Sequence, residues 1–197
     1  MKMAVIMFDD MTTLDFAGFL TAVTWLKRLG YRDDLSWQYC AIGPSAKDDR
    51  GMVIAADAVR PDLGAYDLVL VPGGMATRRL IHDRLFMEWI GTAGPTTYKT
   101  SVCTGALLLG AAGFLAGKRA TTNPLAYELL EPYCLETVRR RVVRDGNVFT
   151  GGGITASVDL GIFFVATIAG EAVARDVQRH MDYPYYAGGD TSDLPGA

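Results

Sequence analysis

The sequence predicts an α/β domain built on a mainly parallel central sheet. Two short apolar runs, Ala4 to Phe8 and Tyr66 to Val71, have the composition of strands buried on both faces. Segments with helical spacing alternate with such strands along the chain. Alternation of this kind lays helices on the faces of a parallel sheet. Neither an internal repeat nor a dividing linker is visible, so residues 1–197 are expected to form a single domain.

Ala4 to Phe8 opens the sheet. From Asp15 to Leu29, Phe16, Leu20, Val23 and Leu26 share one helical face, and Gly30 follows as the stop. Trp37 to Ile42 alternates as a strand and ends at the turn Gly43-Pro44. Arg50 to Val59 holds two short β-like pieces around Gly51. Tyr66 to Val71 stops at Pro72-Gly73-Gly74, and Asp83 to Ala93 has helical spacing. A third strand ends over Thr100 to Cys103, and a helix over Gly105 to Ala112 follows at once. Pro124 to Leu130 reads as a helix with Asn123 as its cap and Pro124 at its first position. Thr137 to Thr150 divides into two strands joined at Asp145-Gly146, a hairpin signal. Gly151-Gly152-Gly153 leads into an apolar helix, Thr155 to Ala169, and Glu171 to Met181 forms the last helix. From Tyr183 onward Pro, Gly and Asp predict an extended or frayed tail over residues 183–197.

Composition excludes several function classes. Half of the 197 residues are hydrophobic and the net charge is −3, which excludes intrinsic disorder. Without a basic excess to neutralise phosphates, nucleic acid is not an expected partner. The densest cationic run, Arg139-Arg140-Arg141, reads as a solvated strand edge. No stretch approaches the ~18 uncharged apolar residues of a spanning helix, so no membrane partner is expected either. The apolar start, Met1 to Phe8, is too short for the core of a signal peptide. Cys40, Cys103 and Cys134 are odd in number and widely spaced, and only His82 and His180 accompany them. That is a poor disulfide framework and a poor metal site, so no metal and a reducing, cytoplasmic setting are expected.

In parallel sheets ligands sit beyond the carboxyl ends of the strands. Three loops there carry chemistry: one with Asp15, one with Gly73-Gly74, one with Cys103-Thr104-Gly105. Thr100 to Leu107 passes straight from strand to helix, the geometry of a nucleophile elbow with Cys103 at its tip. The amides that open the helix would favour thiolate, which lowers a cysteine pKa from about 8.5 into the range ~3.5–7.5. Cys40, inside a strand, and Cys134, at a helix end, read as small buried hydrophobes. Asp15 lies among apolar neighbours, where a desolvated carboxyl group stays protonated and can donate to the sulfur. It serves equally well as a helix cap, and both roles can hold together. Gly73-Gly74 permits close backbone approach, and an amide there with that of Thr104 would form an oxyanion-type pocket; a simple tight turn is the alternative. Gly151-Gly152-Gly153 lacks the phosphate-loop lysine and the dinucleotide spacing, and instead lets Ile154 and Thr155 crowd the pocket.

Four segments resemble the ThiJ/PfpI superfamily: Ser101-Val102-Cys103-Thr104-Gly105, Gly117 to Thr122, Arg141 to Asn147, and Thr150 to Asp159. The resemblance runs from Val5 to about Met181 and is greatest to the isocyanide hydratase branch, which carries Asp at the place of Asp15 where many relatives carry Glu. It implies a flavodoxin-like three-layer sandwich, a homodimer, and no organic cofactor. It implies Cys103 as nucleophile, Asp15 as its acid partner, Thr104 beside them, Gly74 in the amide pocket and Ile154 in the wall. A hydratase of this type adds a thiolate to the terminal carbon of a small uncharged isocyanide, passes through a thioimidate, and releases an N-substituted formamide. Two departures bear on the pocket. Asn123-Pro124 stands where the family often has His after the paired threonines, and Gly18-Phe19 stands where a Gly-Pro pair is common.

Two other readings remain. Glyoxalase- or deglycase-like relatives act on reactive carbonyls, generally with Glu and His beside the cysteine. AraC-type regulators carry the same domain as a ligand or redox sensor, and Ala174 to His180 resembles their domain end. On a length ending at Ala197, no DNA-binding region is expected.

Overall fold

A computed structural model describes residues 1–186. In chain order the elements are β1 (Lys2–Met7), α1 (Thr13–Arg28), β2 (Ser36–Ala41), β3 (Ser45–Lys47), β4 (Val53–Ala55), β5 (Ala58–Val59), β6 (Leu68–Val71), α2 (Thr77–Leu80) and α3 (Arg84–Gly91). There follow β7 (Tyr98–Val102), α4 (Gly105–Ala111), β8 (Arg119–Ala120), α5 (Tyr127–Leu130), β9 (Glu136–Thr137), β10 (Val142–Asp145), β11 (Val148–Gly151), α6 (Ala156–Ala169) and α7 (Glu171–His180). Asp83 caps α3 through its side chain, which accepts from the Phe86 N–H at 3.0 Å. Gly170, at φ +93°, breaks α6 from α7.

The main sheet runs β10-β11-β7-β6-β1-β2-β5. Every neighbouring pair is parallel except β10 with β11, the hairpin read at Asp145-Gly146. The architecture is the flavodoxin-like sandwich the sequence predicts. One helical layer packs α1 on α6 and α6 on α7; the other gathers α2, α3 and α5 around α4. Strands β1 and β6 are buried at almost every position, which is why they read as unbroken apolar runs.

The chain passes from β1 to β2 in one direction and then returns to lay β6 and β7 on the other side of β1. Between β1 and β6 the direction of winding reverses, and there the loops part to leave a crevice at the carboxyl ends. Four adjacent parallel strands, β11, β7, β6 and β1, deliver Gly152-Gly153, Cys103, Gly73-Gly74 and the start of α1 to that end.

Several short elements differ from the sequence reading, although β4 and β5 fall inside the Arg50 to Val59 segment read as two short β-like pieces. β3 and β4 form a small antiparallel hairpin, β8 pairs with β9, and α2 is a single turn after the Gly73-Gly74 loop. The segment from Pro124 to Leu130 is a 3-10 turn, Pro124–Ala126, followed by α5 rather than one helix. The cationic run is not simply a solvated edge. Arg141 Nε donates to Asp159 Oδ2 at 2.6 Å, and Asp159 is fully buried. The buried Asp159 side chain draws Arg141 inward. Of the tail expected from Tyr183, the Tyr183 hydroxyl donates to Asp159 at 3.1 Å and Tyr186 is buried; residues 187–197 lie outside the described part.

α1 and α6 approach closely because glycine stands at both contact points. A Cβ on Gly18 would sit 2.2 Å from Ser157 Oγ, and one on Gly161 2.7 Å from Ala22 Cβ. Overpacking of this kind costs about 1–3 kcal/mol. Gly161→Val is therefore expected to lower stability by about that amount in denaturant unfolding, since Phe19 backbone as well as Ala22 blocks the new side chain.

Candidate active site

β7 ends at Val102, and Cys103 turns the chain into α4 with φ +54°, a left-handed conformation that a non-glycine residue holds only at a cost of roughly 1–3 kcal/mol. Bonds on both sides hold it. The Cys103 N–H donates to Gly151 O at 3.0 Å, and Thr122 Oγ1 donates to Cys103 O at 2.8 Å. Gly105 allows the elbow to close on the end of β6, because a Cβ there would lie 2.2 Å from Val71 O. The sharp strand-to-helix turn of the sequence reading is thus present, with Cys103 7% exposed at its tip.

Asp15 lies in the first turn of α1 and is fully buried. It is not the cap of that helix; Thr12 occupies the cap position, and the Asp15 side chain turns inward. Its Oδ2 accepts from the Gly73 N–H at 2.7 Å, while Oδ1 has no partner. Burial pushes the Asp15 carboxyl from 3.8 up to about 7, against the pull of the Gly73 amide. Gly73 is the point where the groups meet. A Cβ on it would stand 2.7 Å from Thr104 N, 2.8 Å from Cys103 Cβ and 2.9 Å from Asp15 Oδ2.

The amide pocket predicted at Gly73-Gly74 is engaged from within. Gly73 N–H is held by Asp15, and Gly74 N–H donates to Thr104 Oγ1 at 3.1 Å. Gly74 itself sits at φ +142° against the backbone of Asp10 and Met11, where no side chain fits. Thr104 therefore ties the elbow to the β6–α2 turn, while its own backbone N–H points at the Cys103 sulfur. Ile154 is half-buried in the turn that leads into α6, and neighbouring Gly153 brings the backbone close to Asn123.

The sulfur is not sealed in aliphatic packing. Beside it stand Asp15, the Thr104 amide and the Asn123 side-chain amide, whose Nδ2 lies 3.5 Å from Sγ. The balance on its proton differs from the sequence expectation. Burial pushes the Cys103 thiol up and a charged Asp15 adds to the push; the Thr104 N–H and Asn123 pull only partly back. Cys40 is buried in β2 against the Tyr66 hydroxyl, and Cys134 follows a 3-10 turn beside Thr137. His82 is exposed ahead of α3, and His180 at the end of α7 stacks on Trp25; neither reaches the sulfur.

Two contributors were not foreseen. Asn123 was read as a cap and as standing where relatives carry His, but not as a donor to the sulfur. The β3–β4 hairpin docks its tip on the start of α1: Thr13 Oγ1 donates to Asp48 Oδ2 at 2.6 Å and Thr12 Oγ1 to Asp49 Oδ2 at 3.0 Å. Asp49 pairs with Arg50, and the two act on Asp15 in opposite senses, Asp49 raising its pKa and Arg50 lowering it. Polar side chains flanking the Arg50-Gly51 turn were the available signal, but nothing local names their docking partner.

A model of the DJ-1/PfpI family matches residues 1–167. An isonitrile hydratase of Pseudomonas putida is 39% identical over 151 residues, which are 75% of this chain and 66% of that protein. The chain thus spans just under two thirds of that relative. The HTH-type transcriptional regulator CdhR of Pseudomonas aeruginosa is 28% identical over 170 residues, 83% of this chain and 50% of the regulator. Among solved structures, a ThiJ/PfpI family protein from Pseudomonas syringae superposes with a TM-score of 0.82 at 28% identity, over 97% of this chain and 80% of that one. DJ-1 of Schizosaccharomyces pombe superposes with a TM-score of 0.76 at 17% identity, over 93% and 100% of the two chains, a likeness of fold. Among the described residues no helix is long and apolar enough to cross a membrane, and no cluster of metal-ligating side chains occurs.

The folded-state pKa of Asp15 exceeds its ordinary value of 3.8, so the folded protein holds more protons between 3.8 and about 7. The contribution of Asp15 to stability is complete below that window, declines as pH rises across it, and is lost above about 7. Denaturant unfolding across this window should show wild type losing stability that Asp15→Asn retains; parallel curves for the two would contradict the assignment. Arg50→Ala should move the midpoint of that loss upward and Asp49→Asn downward.

Proposed function

The chain belongs to the DJ-1/PfpI family, and on that premise we propose that it is a cofactor-independent isocyanide hydratase with Cys103 as nucleophile and Asp15 as carrier of its proton. One observation carries the reading: a buried carboxyl group, held by Gly73 with Oδ1 unpartnered, beside a cysteine at a strained elbow. The likeness to the Pseudomonas putida isonitrile hydratase supports the substrate class. A dry site without a fixed charge on its sulfur suits a small, uncharged, electrophilic group. The homodimer implied by the family resemblance belongs to the same proposal.

Asp15 and Cys103 share protons, so their titrations belong to the pair. Above about pH 7 the pair holds one proton, and the tautomer with that proton on Asp15 leaves a thiolate. The thiolate forms a C–S bond to the terminal carbon of R–NC while Asp15 protonates that carbon. The product is the thioimidate R–N=CH–S–Cys103, with Asp15 ionised. Asp15 then takes a proton from water as the hydroxyl adds to carbon, and passes it to nitrogen. Collapse of R–NH–CH(OH)–S–Cys103 breaks the C–S bond, returns the hydroxyl proton to Asp15, and releases R–NH–CHO. Thr104 bears on this chemistry through its backbone N–H at the sulfur and its side chain at Gly74.

The match to CdhR supports a second reading, a cysteine-based sensor. Both readings need the Cys103 thiolate, and sensing differs in that the sulfur would end oxidised rather than be regenerated. Mass spectrometry of a peroxide titration, with Cys40 and Cys134 as internal controls, separates the two.

Para-substituted phenyl isocyanides should be converted to formamides by the pure protein, and Cys103→Ala should abolish conversion. Asp15→Asn should lower kcat/KM by ~10²–10⁴-fold. In wild type kcat/KM should rise as pH passes through about 7 and fall at higher pH, where the pair loses its last proton. A protein that still alkylates at Cys103 yet yields no formamide would remove the hydratase reading.

A further inference from the structure

The Asn123 amide is oriented by its own turn. Its Oδ1 accepts from the Leu125 N–H at 3.0 Å, which caps the 3-10 turn Pro124–Ala126. Its backbone carbonyl accepts from Ala126 N–H at 2.8 Å, and Pro124 restricts the residue before it to an extended conformation. With the oxygen end committed to the cap, the Nδ2 end has one direction left, and in that direction lies Cys103 Sγ at 3.5 Å. Preceding Thr122 donates to Cys103 O at 2.8 Å, so a hydrogen bond ties the turn to the elbow.

We propose that Asn123 is a third catalytic group of this site, a fixed N–H donor that stabilises the Cys103 thiolate without carrying a proton of its own. An N–H···S⁻ bond favours the ionised form, and hydrogen bonds to charged acceptors are the stronger ones. The donor cannot titrate, so it supports the thiolate at every working pH without competing with Asp15 for the transferred proton. The charged groups acting on the pair are Asp15 from α1, with Asp49 and Arg50 acting on Asp15 from the hairpin tip. The Gly73-Gly74 and Gly152-Gly153 turns bring no charge. The inference deepens and rests on the hydratase reading, because the donor favours any chemistry begun by the thiolate, but it is tested without an isocyanide.

Asn123→Ser keeps an oxygen for the Leu125 cap and is too short to reach the sulfur. Asn123→Asp keeps the cap and the shape but replaces the donor with a charged acceptor. Rates of iodoacetamide alkylation at Cys103, read by mass spectrometry at pH 8 with Cys134 as reference, should fall about tenfold in Asn123→Ser and further in Asn123→Asp, a tenfold change being one unit of sulfur pKa. Thermal unfolding of Asn123→Ser close to wild type, together with that fall, assigns the effect to the lost donor. Equal alkylation in wild type and Asn123→Ser would overturn the proposal. A measurement on the native fold guards against a damaged variant: the Asn123 side-chain amide resonance should shift as Cys103 ionises and stay still in Cys103→Ala. A resonance that ignores the sulfur overturns it as well. Failure to make formamide with the alkylation result intact would sink the hydratase reading and leave this one standing.

Discussion

The site depends on one backbone N–H. Gly73 donates to Asp15 Oδ2, and in doing so holds a buried carboxyl group against the end of β6, where Cys103 also arrives. The contact requires a residue with no side chain, because the volume a Cβ would fill is occupied by Thr104 N, Cys103 Cβ and Asp15 Oδ2. The bond satisfies one carboxyl oxygen only. An unpartnered oxygen in a dry place is costly while charged and tolerable when it carries a proton, which is why Asp15 titrates near neutrality.

Around that bond the scaffold pays for strain in a small volume. Cys103 sits in a left-handed conformation, Gly74 lies against the Asp10–Met11 backbone, and Asp15 is desolvated. Each is unfavourable alone and persists because neighbouring elements over-determine it. β11 takes the Cys103 N–H, Thr122 takes its carbonyl, and Thr104 ties the elbow to Gly74. The parallel pairing of β11, β7 and β6 places these anchors at one level, so the strained turn is distributed over three strand ends.

On the proposed reading, a raised thiol beside a raised carboxyl is a pair that shares a proton, and this differs from a permanently ionised cysteine. Sulfur and carboxyl each penalise the other's charge, so ionising one favours protonating the other. In the proposed mechanism charge thereby stays low in the crevice while sulfur and carboxyl serve as nucleophile and acid. The hairpin tip sets the level of the balance from outside, through a carboxylate and a guanidinium of opposite effect.

The layered fold, its strand and helix order, the elbow at Cys103 and the glycines beside it were legible in the sequence; Asp15 was legible as a candidate acid, with a cap role left equally open. Each is encoded locally: apolar runs of strand length, helical spacing, Gly at turns, a small-residue strand-to-helix passage. The β3–β4 hairpin's docking on α1, the capture of Arg141 by Asp159, the filled Gly73 amide and the aim of Asn123 at the sulfur were not. These partners lie far apart along the chain and meet only through packing. The direction of the Cys103 pKa was lost for the same reason, since desolvation is a property of everything that surrounds a group. Sequence by itself determined which side chains were present and where the backbone would turn; tertiary structure decided which of them met, how dry they were, and therefore where the proton rests.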